Sequence, residues 1–203
     1  MSKIYFEYGE KEMDYLKKKD KKLGAVIERM GVIKREVNPD LFAALVECIV
    51  GQQISSKAAD TVCARLRERC GPAGIGSGPL CAMSAEAVQS CGMSMRKAET
   101  IKHIAEAAAG KIVDFATLAD KSDADVIQTL TTLKGVGVWT AEMLLIFSLK
   151  RPNVVSFGDL AIRRGMMRLY GLNTLSKEQF ARYAKRYAPY GSVASLYLWS
   201  IST

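Results

Sequence analysis

Histidine, cysteine and long apolar runs are all scarce in this sequence of 203 residues, and each scarcity excludes a class of protein. The single histidine, His103, cannot build a histidine-rich metal site, and we expect it on a helix surface. Five cysteines at irregular spacing fit neither a disulfide framework nor a zinc pattern, so we expect reduced thiols. Apolar runs such as residues 143–147 are too short to cross a bilayer, and no basic-then-apolar leader opens the chain. The sequence therefore predicts a cytoplasmic protein without membrane contact.

Acidic residues are few towards the end of the chain. Residues 1–35 carry ten basic and six acidic side chains, residues 36–149 carry ten and thirteen, and residues 150–203 carry nine and two, for a net charge of +8. An acidic middle between basic ends suggests two units with different surfaces, and it favours a polyanion as the partner of the basic unit. A basic surface also serves solubility alone, so charge by itself does not decide between these interpretations.

Strand signals are lacking, and the spacing of apolar residues indicates helices throughout. Residues 10–30 place their apolar side chains near one face and predict one helix, with the basic run at residues 17–22 as a solvated face of it or a loop. Glycine and proline at 71–79 predict a loop, and a further helix is expected to run from Asp159 to Gly171. We therefore predict an all-α fold. Other helices are expected to begin at N-caps or capping boxes, namely Asn38, Ser55 or Ser56, Ser84, Ser94, Ser122 and Ser176.

A turn with two glycines joins two of the predicted helices. Residues 133–141 read Leu-Lys-Gly-Val-Gly-Val-Trp-Thr-Ala, and we call this segment the hairpin. Glycine tolerates positive φ and allows close approach of a ligand to the backbone. Free N–H groups beside the N-terminus of a helix favour an anion, so the hairpin predicts a grip on DNA phosphate that reads no base sequence. The candidate contacts are Gly135, Val136, Gly137 and Thr140, and a plain turn between helices is the alternative.

The hairpin resembles the helix-hairpin-helix motif, and three further segments resemble the helix-hairpin-helix DNA glycosylase superfamily. Pro152 and Gly158 precede Asp159, as in the Gly/Pro-rich loop and aspartate that follow the hairpin in that superfamily. Residues 51–55, Gly-Gln-Gln-Ile-Ser, match the segment with which those enzymes enter the duplex. Residues 190–199 resemble the closing helix of the 3-methyladenine DNA glycosylase II branch. Together the segments extend the resemblance over residues 38–203.

The resemblance implies two helical subdomains with a DNA-binding cleft between them. We expect residues 37–153 to form the central subdomain that contains the hairpin. Residues 1–36 are expected to join residues 154–203 in a second, basic subdomain. The changes in charge along the chain fall near these boundaries.

The resemblance makes Asp159 the catalytic residue. Cleavage of an N-glycosidic bond builds positive charge on the deoxyribose as the base departs, and a carboxylate near C1′ stabilises that charge or orients water. From its local sequence alone Asp159 would be interpreted as a helix N-cap, and one carboxylate can serve both roles with different oxygens.

Two tryptophans are candidate walls of a base pocket, with core packing as the alternative for each. Trp139 lies where bifunctional superfamily members have a lysine that forms a Schiff base, so no lyase activity is expected. Trp199 lies in the predicted closing helix. Alkylated purines such as 3-methyladenine and 7-methylguanine carry positive charge, and stacking a cation on tryptophan contributes about 0.5–2 kcal/mol. The weakened glycosidic bond must supply the remaining selectivity, so we expect tolerance of different lesions.

Further residues are candidates for DNA contacts. By resemblance Gln53 is the wedge that fills the gap left by an extruded base, with Gln52 beside it, and a polar turn is the alternative. Arg163 and Arg164 follow Asp159 on the same predicted helix and either meet phosphates or are ordinary surface arginines. Ser192, at a helix start, is expected to donate its hydroxyl or backbone N–H to phosphate.

The expected cofactors and partners complete the hypothesis. Endonuclease III-type relatives hold an iron–sulfur cluster with four cysteines near the C-terminus, whereas no cysteine follows Cys91 here, so we expect no cluster and no bound metal. A monovalent cation at the hairpin carbonyls fits the family. The partner is double-stranded DNA containing a damaged base, and the protein is expected to be a monomer. The predicted function is monofunctional excision of alkylated bases in base excision repair. The alternatives are excision of hypoxanthine, uracil or oxidised guanine, or DNA binding without catalysis.

Overall fold

The computed structural model describes residues 3–202, most of which are helical, as the sequence predicts. The chain forms two compact units. The terminal unit comprises the chain up to Val37 together with the chain from Leu145 onward, and the central unit comprises Asn38–Leu144. From the sequence we placed the boundaries at 36/37 and 153/154, whereas the structural ones lie at 37/38 and 144/145. The terminal unit has 19 basic and nine acidic side chains, a net charge of +10, and the central unit has ten and twelve, a net charge of −2.

The terminal unit begins with two helices where one was expected. Asp20 separates them, because its extended backbone ends the first helix and its Oδ1 accepts the N–H groups of Lys22 and Leu23 at 3.1 and 3.0 Å. Its Oδ2 accepts hydrogen bonds from the Tyr170 hydroxyl and from Arg186. A buried carboxylate requires such partners. The break falls within residues 17–22, where a loop was one of the two interpretations of the basic run. The helices are α1 (Glu10–Lys19) and α2 (Lys21–Met30).

A short antiparallel pair precedes and follows these helices. Strand β1 (Ile4–Tyr5) pairs with β2 (Glu36–Val37), with Ile4 opposite Val37. The expectation of no strand missed this pair, because two residues are too few to show an alternating pattern.

The rest of the terminal unit is built around a buried C-terminal helix. That helix packs against its two predecessors in sequence and against α2. Its backbone lies so close to the helix that follows Asp159 that a Cβ added at Gly165 would be 2.0 Å from Leu198 O. The predicted helix from Asp159 to Gly171 and the capping box of Ser176 with Gln179 are confirmed. The three helices are α10 (Leu160–Tyr170), α11 (Lys177–Tyr187) and α12 (Gly191–Ser200).

The central unit packs several helices around one long helix, α7. Helix α7 contacts α3, α5 and α6, and its buried face carries Ile101 and Ile104. The elements are α3 (Leu41–Gly51), α4 (Ser56–Cys70), α5 (Ser77–Ala82), α6 (Ala85–Gln89), α7 (Met95–Ala109), a 3₁₀ helix (Phe115–Asp120), α8 (Asp123–Thr131) and α9 (Val138–Phe147), whose last turn passes into the terminal unit.

Most of the predicted caps of the central unit are confirmed. The exception is Asn38, because the N-cap of α3 is Asp40, whose Oδ1 accepts the Ala43 N–H at 3.0 Å. Asn38 instead accepts the N–H of Asp40. The loop predicted over residues 71–79 ends early, since α5 begins at Ser77. The confirmed N-caps are Ser55, Ser84, Ser94 and Ser122.

The structure also describes the cysteines, the single histidine and the apolar character of the helices. All five cysteines are free, and His103 lies exposed on α7. Among residues 3–202, no helix is long and apolar enough to cross a membrane.

Candidate active site

Asp159 begins α10 and is held by two donors at one oxygen. Its backbone is extended, and its Oδ1 accepts the N–H of Ile162 at 2.8 Å, so it is the N-cap of α10. The indole Nε1 of Trp199 donates to the same oxygen at 3.1 Å. The residue is 7% exposed. The two donors come from different helices, so the orientation of the carboxylate depends on the packing of α10 against α12.

The chain that leads to Asp159 is attached to α12 by serine side chains. Ser192 Oγ accepts the Val154 N–H at 3.0 Å and donates to Arg151 O, while Ser195 Oγ donates to Val154 O at 2.9 Å. The backbone N–H of Ser192 donates to Pro152 O at 3.0 Å, and the residue is fully buried. Both donors of Ser192 thus bind the segment before Asp159, and a contact of Ser192 with phosphate stays a prediction.

Trp199 packs against a residue that we did not single out. Its ring lies 5.3 Å from that of Phe147, at 32°, and the Arg35 guanidinium lies 5.4 Å above the Phe147 ring. Trp199 is half-buried, and its indole N–H is engaged with Asp159. A role of Trp199 as a wall of the base pocket stays a prediction.

The two arginines that follow Asp159 differ in their surroundings. The Arg163 guanidinium lies 5.2 Å over the Phe157 ring, and its Nε is buried without a hydrogen-bond partner among residues 3–202. Arg164 is exposed. Contact with phosphate stays a prediction for both, and Arg164 is the more accessible of the two.

The hairpin presents its glycines to solvent and buries its other predicted contacts. Gly135 and Gly137 are exposed, and Gly135 has a φ of 88°. A Cβ on Gly135 would lie 2.7 Å from Thr100 Cγ2, so a side chain is excluded there by space as well as by conformation. Val136 is 6% exposed, and its N–H donates to Leu133 O at 3.0 Å. The N–H of Val136 thus has an internal partner, and a contact of Val136 with DNA stays a prediction.

Thr140 serves the interior of the central unit. It is 2% exposed, and its side chain is hydrogen-bonded to the thiol of Cys48. Burial raises the pKa of Cys48 to about 11, and the bond from Thr140 opposes that rise. The Thr140 side chain is packed inside, and a contact of Thr140 with DNA stays a prediction. Trp139, in the same first turn of α9, is half-buried, and its role as a pocket wall stays a prediction.

The segment that joins α3 to α4, residues 51–55, is called the glutamine turn below. Gln52 is half-buried and is the C-cap of α3, and Gln53 is exposed with a φ of 58°. A positive φ is uncommon outside glycine, and for a side chain of this size it costs energy. The glutamine turn therefore holds an accessible glutamine in a conformation that its sequence does not favour.

The hairpin also offers oxygen ligands for a cation. Leu133 O accepts a hydrogen bond from the Val136 N–H, and a carbonyl oxygen has two lone pairs and is a ligand that hard cations prefer. The predicted monovalent cation therefore fits the donor type of the hairpin, and it stays a prediction. No group of three or more His, Cys, Asp or Glu side chains within residues 3–202 is arranged to hold a metal ion.

Comparison with known proteins identifies the family. The family described as HhH-GPD superfamily base excision DNA repair protein matches residues 46–189. This chain belongs to that family. DNA-3-methyladenine glycosylase 1 of Schizosaccharomyces pombe is 34% identical over 167 residues, which cover 79% of this chain and 72% of that protein.

Two solved structures extend the likeness of this HhH-GPD protein to its whole fold. The DNA-3-methyladenine glycosidase of Bacillus halodurans has a TM-score of 0.83 at 36% identity, covering 100% of this chain and 93% of that one. The 3-methyladenine DNA glycosylase of Schizosaccharomyces pombe, solved in complex with abasic DNA, has a TM-score of 0.84 at 29% identity, covering 94% and 95%. The predicted all-α glycosylase fold and the predicted superfamily are thereby confirmed.

Several residues around the site of this HhH-GPD protein escaped the sequence interpretation. Phe147 and Arg35 were missed because they lie far apart in sequence and meet only in the folded terminal unit. Thr100, which packs on Gly135, carries no motif of its own. A signal existed for Gly165, because a glycine inside an otherwise regular helix often marks close packing.

Proposed function

We propose that this protein is a monofunctional DNA glycosylase that excises alkylated bases of the 3-methyladenine and 7-methylguanine type from duplex DNA. The observation that carries the proposal is the Asp159 carboxylate, fixed at Oδ1 by Ile162 and Trp199. Membership of a base excision repair family and the names of its relatives support the same activity.

In the proposed reaction the bond between C1′ and the base nitrogen breaks, and its electron pair leaves with the base. The sugar gains oxocarbenium character, and water adds to C1′ and loses one proton to solvent, which leaves an abasic site. The Asp159 carboxylate stabilises the cationic sugar electrostatically. Two unit charges 4 Å apart interact by about 4 kcal/mol at an effective dielectric of 20, and each 1.4 kcal/mol is about tenfold in rate.

The Trp199 indole is a positioning partner in this scheme. Its N–H cannot donate a hydrogen bond to the base while it donates to Asp159, but it keeps the carboxylate in one orientation. Preorganised charge is effective because it needs no rearrangement when the transition state forms. Trp139 carries no amine, so the proposed enzyme forms no Schiff base and leaves the abasic strand intact.

Binding of DNA is assigned to the exposed glycines of the hairpin, to Gln53 and to the basic terminal unit. Backbone N–H groups of a hairpin grip phosphate without reading sequence, which suits an enzyme that must search all sites. The net charge of +10 on the terminal unit supports a polyanionic partner. Affinity for duplex should accordingly fall steeply with salt concentration.

The decisive experiment measures base release from single-lesion duplexes with the Asp159→Asn variant. Asparagine is as good an N-cap as aspartate, so α10 should remain folded. We expect release of 3-methyladenine to fall by on the order of 100- to 1,000-fold, while duplex binding is kept. Normal turnover by Asp159→Asn would contradict the mechanism.

A matched control separates loss of charge from disturbance of a helix cap. Asp40 is also an N-cap aspartate, and its Oδ1 accepts the Ala43 N–H at 3.0 Å. Asp40→Asn should therefore release base at nearly the rate of the unmodified protein.

The lesion panel also contains hypoxanthine, uracil and oxidised guanine, so that release of one of these alone would reassign the substrate. Duplex binding without release of any base would leave only a DNA-binding module, and trapping of a covalent adduct by borohydride would contradict the monofunctional assignment.

A further inference from the structure

Lys97 reaches from the first turn of α7 to the glutamine turn. Its Nζ donates to Val50 O at 2.7 Å and to Gln52 O at 2.6 Å. Both carbonyls belong to the C-terminal end of α3, where helix carbonyls lack intrahelical partners and favour a cation. The side chain is half-buried, and burial lowers the pKa of Lys97. Holding this junction therefore costs the partial desolvation of the Lys97 ammonium group.

The bond to Gln52 O acts directly on the conformation of Gln53. Gln52 O and Gln53 N belong to one rigid peptide plane, so fixing the carbonyl also fixes the direction in which Gln53 begins. Gln53 has the left-handed φ of 58°, which is unfavourable for a residue with a side chain. The chain then enters α4 through the N-cap Ser55. Lys97 therefore binds the peptide plane next to the strained residue.

The same turn of α7 also meets the hairpin. Thr100 lies three residues after Lys97, on the neighbouring position of the helix surface, and packs against Gly135. A second link joins α3 to α9, because Cys48 is hydrogen-bonded to Thr140. The glutamine turn and the hairpin, both in the central unit, are thus supported by the same helices.

We propose that Lys97 is a positioning residue, which holds the peptide between Gln52 and Gln53 so that the Gln53 side chain enters the duplex in register with the hairpin. This inference rests on the proposed function, since it takes Gln53 as the wedge that replaces an extruded base. Lys97 acts through Gln53 and touches neither the base nor the sugar.

A matched control lies on the same helix. Lys102 makes a similar pair of bonds, donating from Nζ to Leu80 O at 3.1 Å and Cys81 O at 2.8 Å at the end of α5. Lys97→Met and Lys102→Met each remove one ammonium group and two carbonyl contacts, but only the first affects the glutamine turn. A purely structural role would make the two variants alike.

The experiment measures single-turnover base release and the fluorescence of 2-aminopurine placed opposite the lesion, which rises when that base loses its stacking partner. We expect Lys97→Met to release base about tenfold more slowly than Lys102→Met and to lose the fluorescence rise. Gln53→Ala should show the same two losses. Lys97→Met combined with Gln53→Ala should match Gln53→Ala within about twofold, because both changes act through one side chain.

Each other outcome has a defined meaning. Equal losses in Lys97→Met and Lys102→Met, or additive losses with Gln53→Ala, would overturn the proposal, as would full activity of Gln53→Ala. If Lys97→Met unfolds, Lys97→Gln, whose shorter side chain lacks the ammonium group, is tested in its place, with the same result expected. If the unmodified protein releases no base from any lesion, the proposed function fails. Release by the unmodified protein together with normal release by Lys97→Met overturns only the role of Lys97.

Discussion

The hairpin and the glutamine turn both require a positive φ, and they meet this requirement in different ways. In the hairpin the residue is Gly135, at 88°, and Thr100 leaves no room there for a Cβ. In the glutamine turn the residue is Gln53, at 58°, and its side chain is exposed. The left-handed conformation costs a residue with a Cβ about 1–2 kcal/mol, which glycine does not pay.

The difference indicates what each turn is for. The hairpin uses only its backbone, so a glycine can supply the positive φ there. The glutamine turn keeps a long polar side chain at an energetic cost and relies on Lys97 to hold the neighbouring carbonyl at 2.6 Å. Strained residues persist where the side chain is used, which supports Gln53 as the residue that enters the duplex.

The largest effect should come from a side chain in the hairpin. Gly135→Ala introduces both an unfavourable φ and a clash with Thr100, and we expect the free energy of unfolding to fall by about 2–4 kcal/mol in urea titrations. Gly137→Ala is the stability control, because a Cβ there meets nothing within 4 Å. Adding Thr100→Ala to Gly135→Ala should restore only the part of the unfolding free energy that the clash with Thr100 removes. Equal stability of the two glycine variants would mean that the hairpin does not depend on residue type.

An opposite effect on stability is expected in the glutamine turn. Gln53→Gly removes the left-handed penalty but adds the entropy of glycine, so we expect a gain of about 0.5–1 kcal/mol in unfolding free energy. Gln53→Ala keeps the penalty and should show no gain. Both variants should lose base release equally, because both lack the side chain. A Gln53→Gly protein that is less stable than Gln53→Ala would show that Gln53 is not strained.

The smallest effect concerns the link between the two turns through Cys48. Burial raises the pKa of its thiol from the ordinary value of 9.0 to about 11 in the folded protein. Between these values the folded state binds more protons than the unfolded state, so the contribution to stability is full below pH 9 and declines as the pH rises towards 11.

Urea unfolding at pH 8 and pH 10 tests this sign. The unmodified protein should lose about 1 kcal/mol more between the two pH values than Cys48→Ala, which lacks this one thiol. The comparison uses the change with pH within each protein, so any constant effect of the cavity cancels. An identical pH dependence in both proteins would show that burial does not raise the pKa of Cys48.

Local interactions explain where the sequence interpretation succeeded. Serine caps such as Ser94 and Ser122 bond to N–H groups three residues away, and the capping box of Ser176 closes within the same distance. The hairpin and the distance from it to Asp159 were readable for the same reason. The partners of Ser192 were not readable from the sequence, because they lie about 40 positions earlier in the chain and no local pattern encodes them.

The order of short-range signals along the chain was sufficient to establish the helices, the family and the acid at the start of α10, because caps, glycine turns and apolar spacing act over a few residues. Tertiary structure alone decided which groups complete them: Trp199 on Asp159, Thr100 against Gly135, and Lys97 on the carbonyl before Gln53. These contacts join residues tens of positions apart, and their energy is gained only when the helices pack.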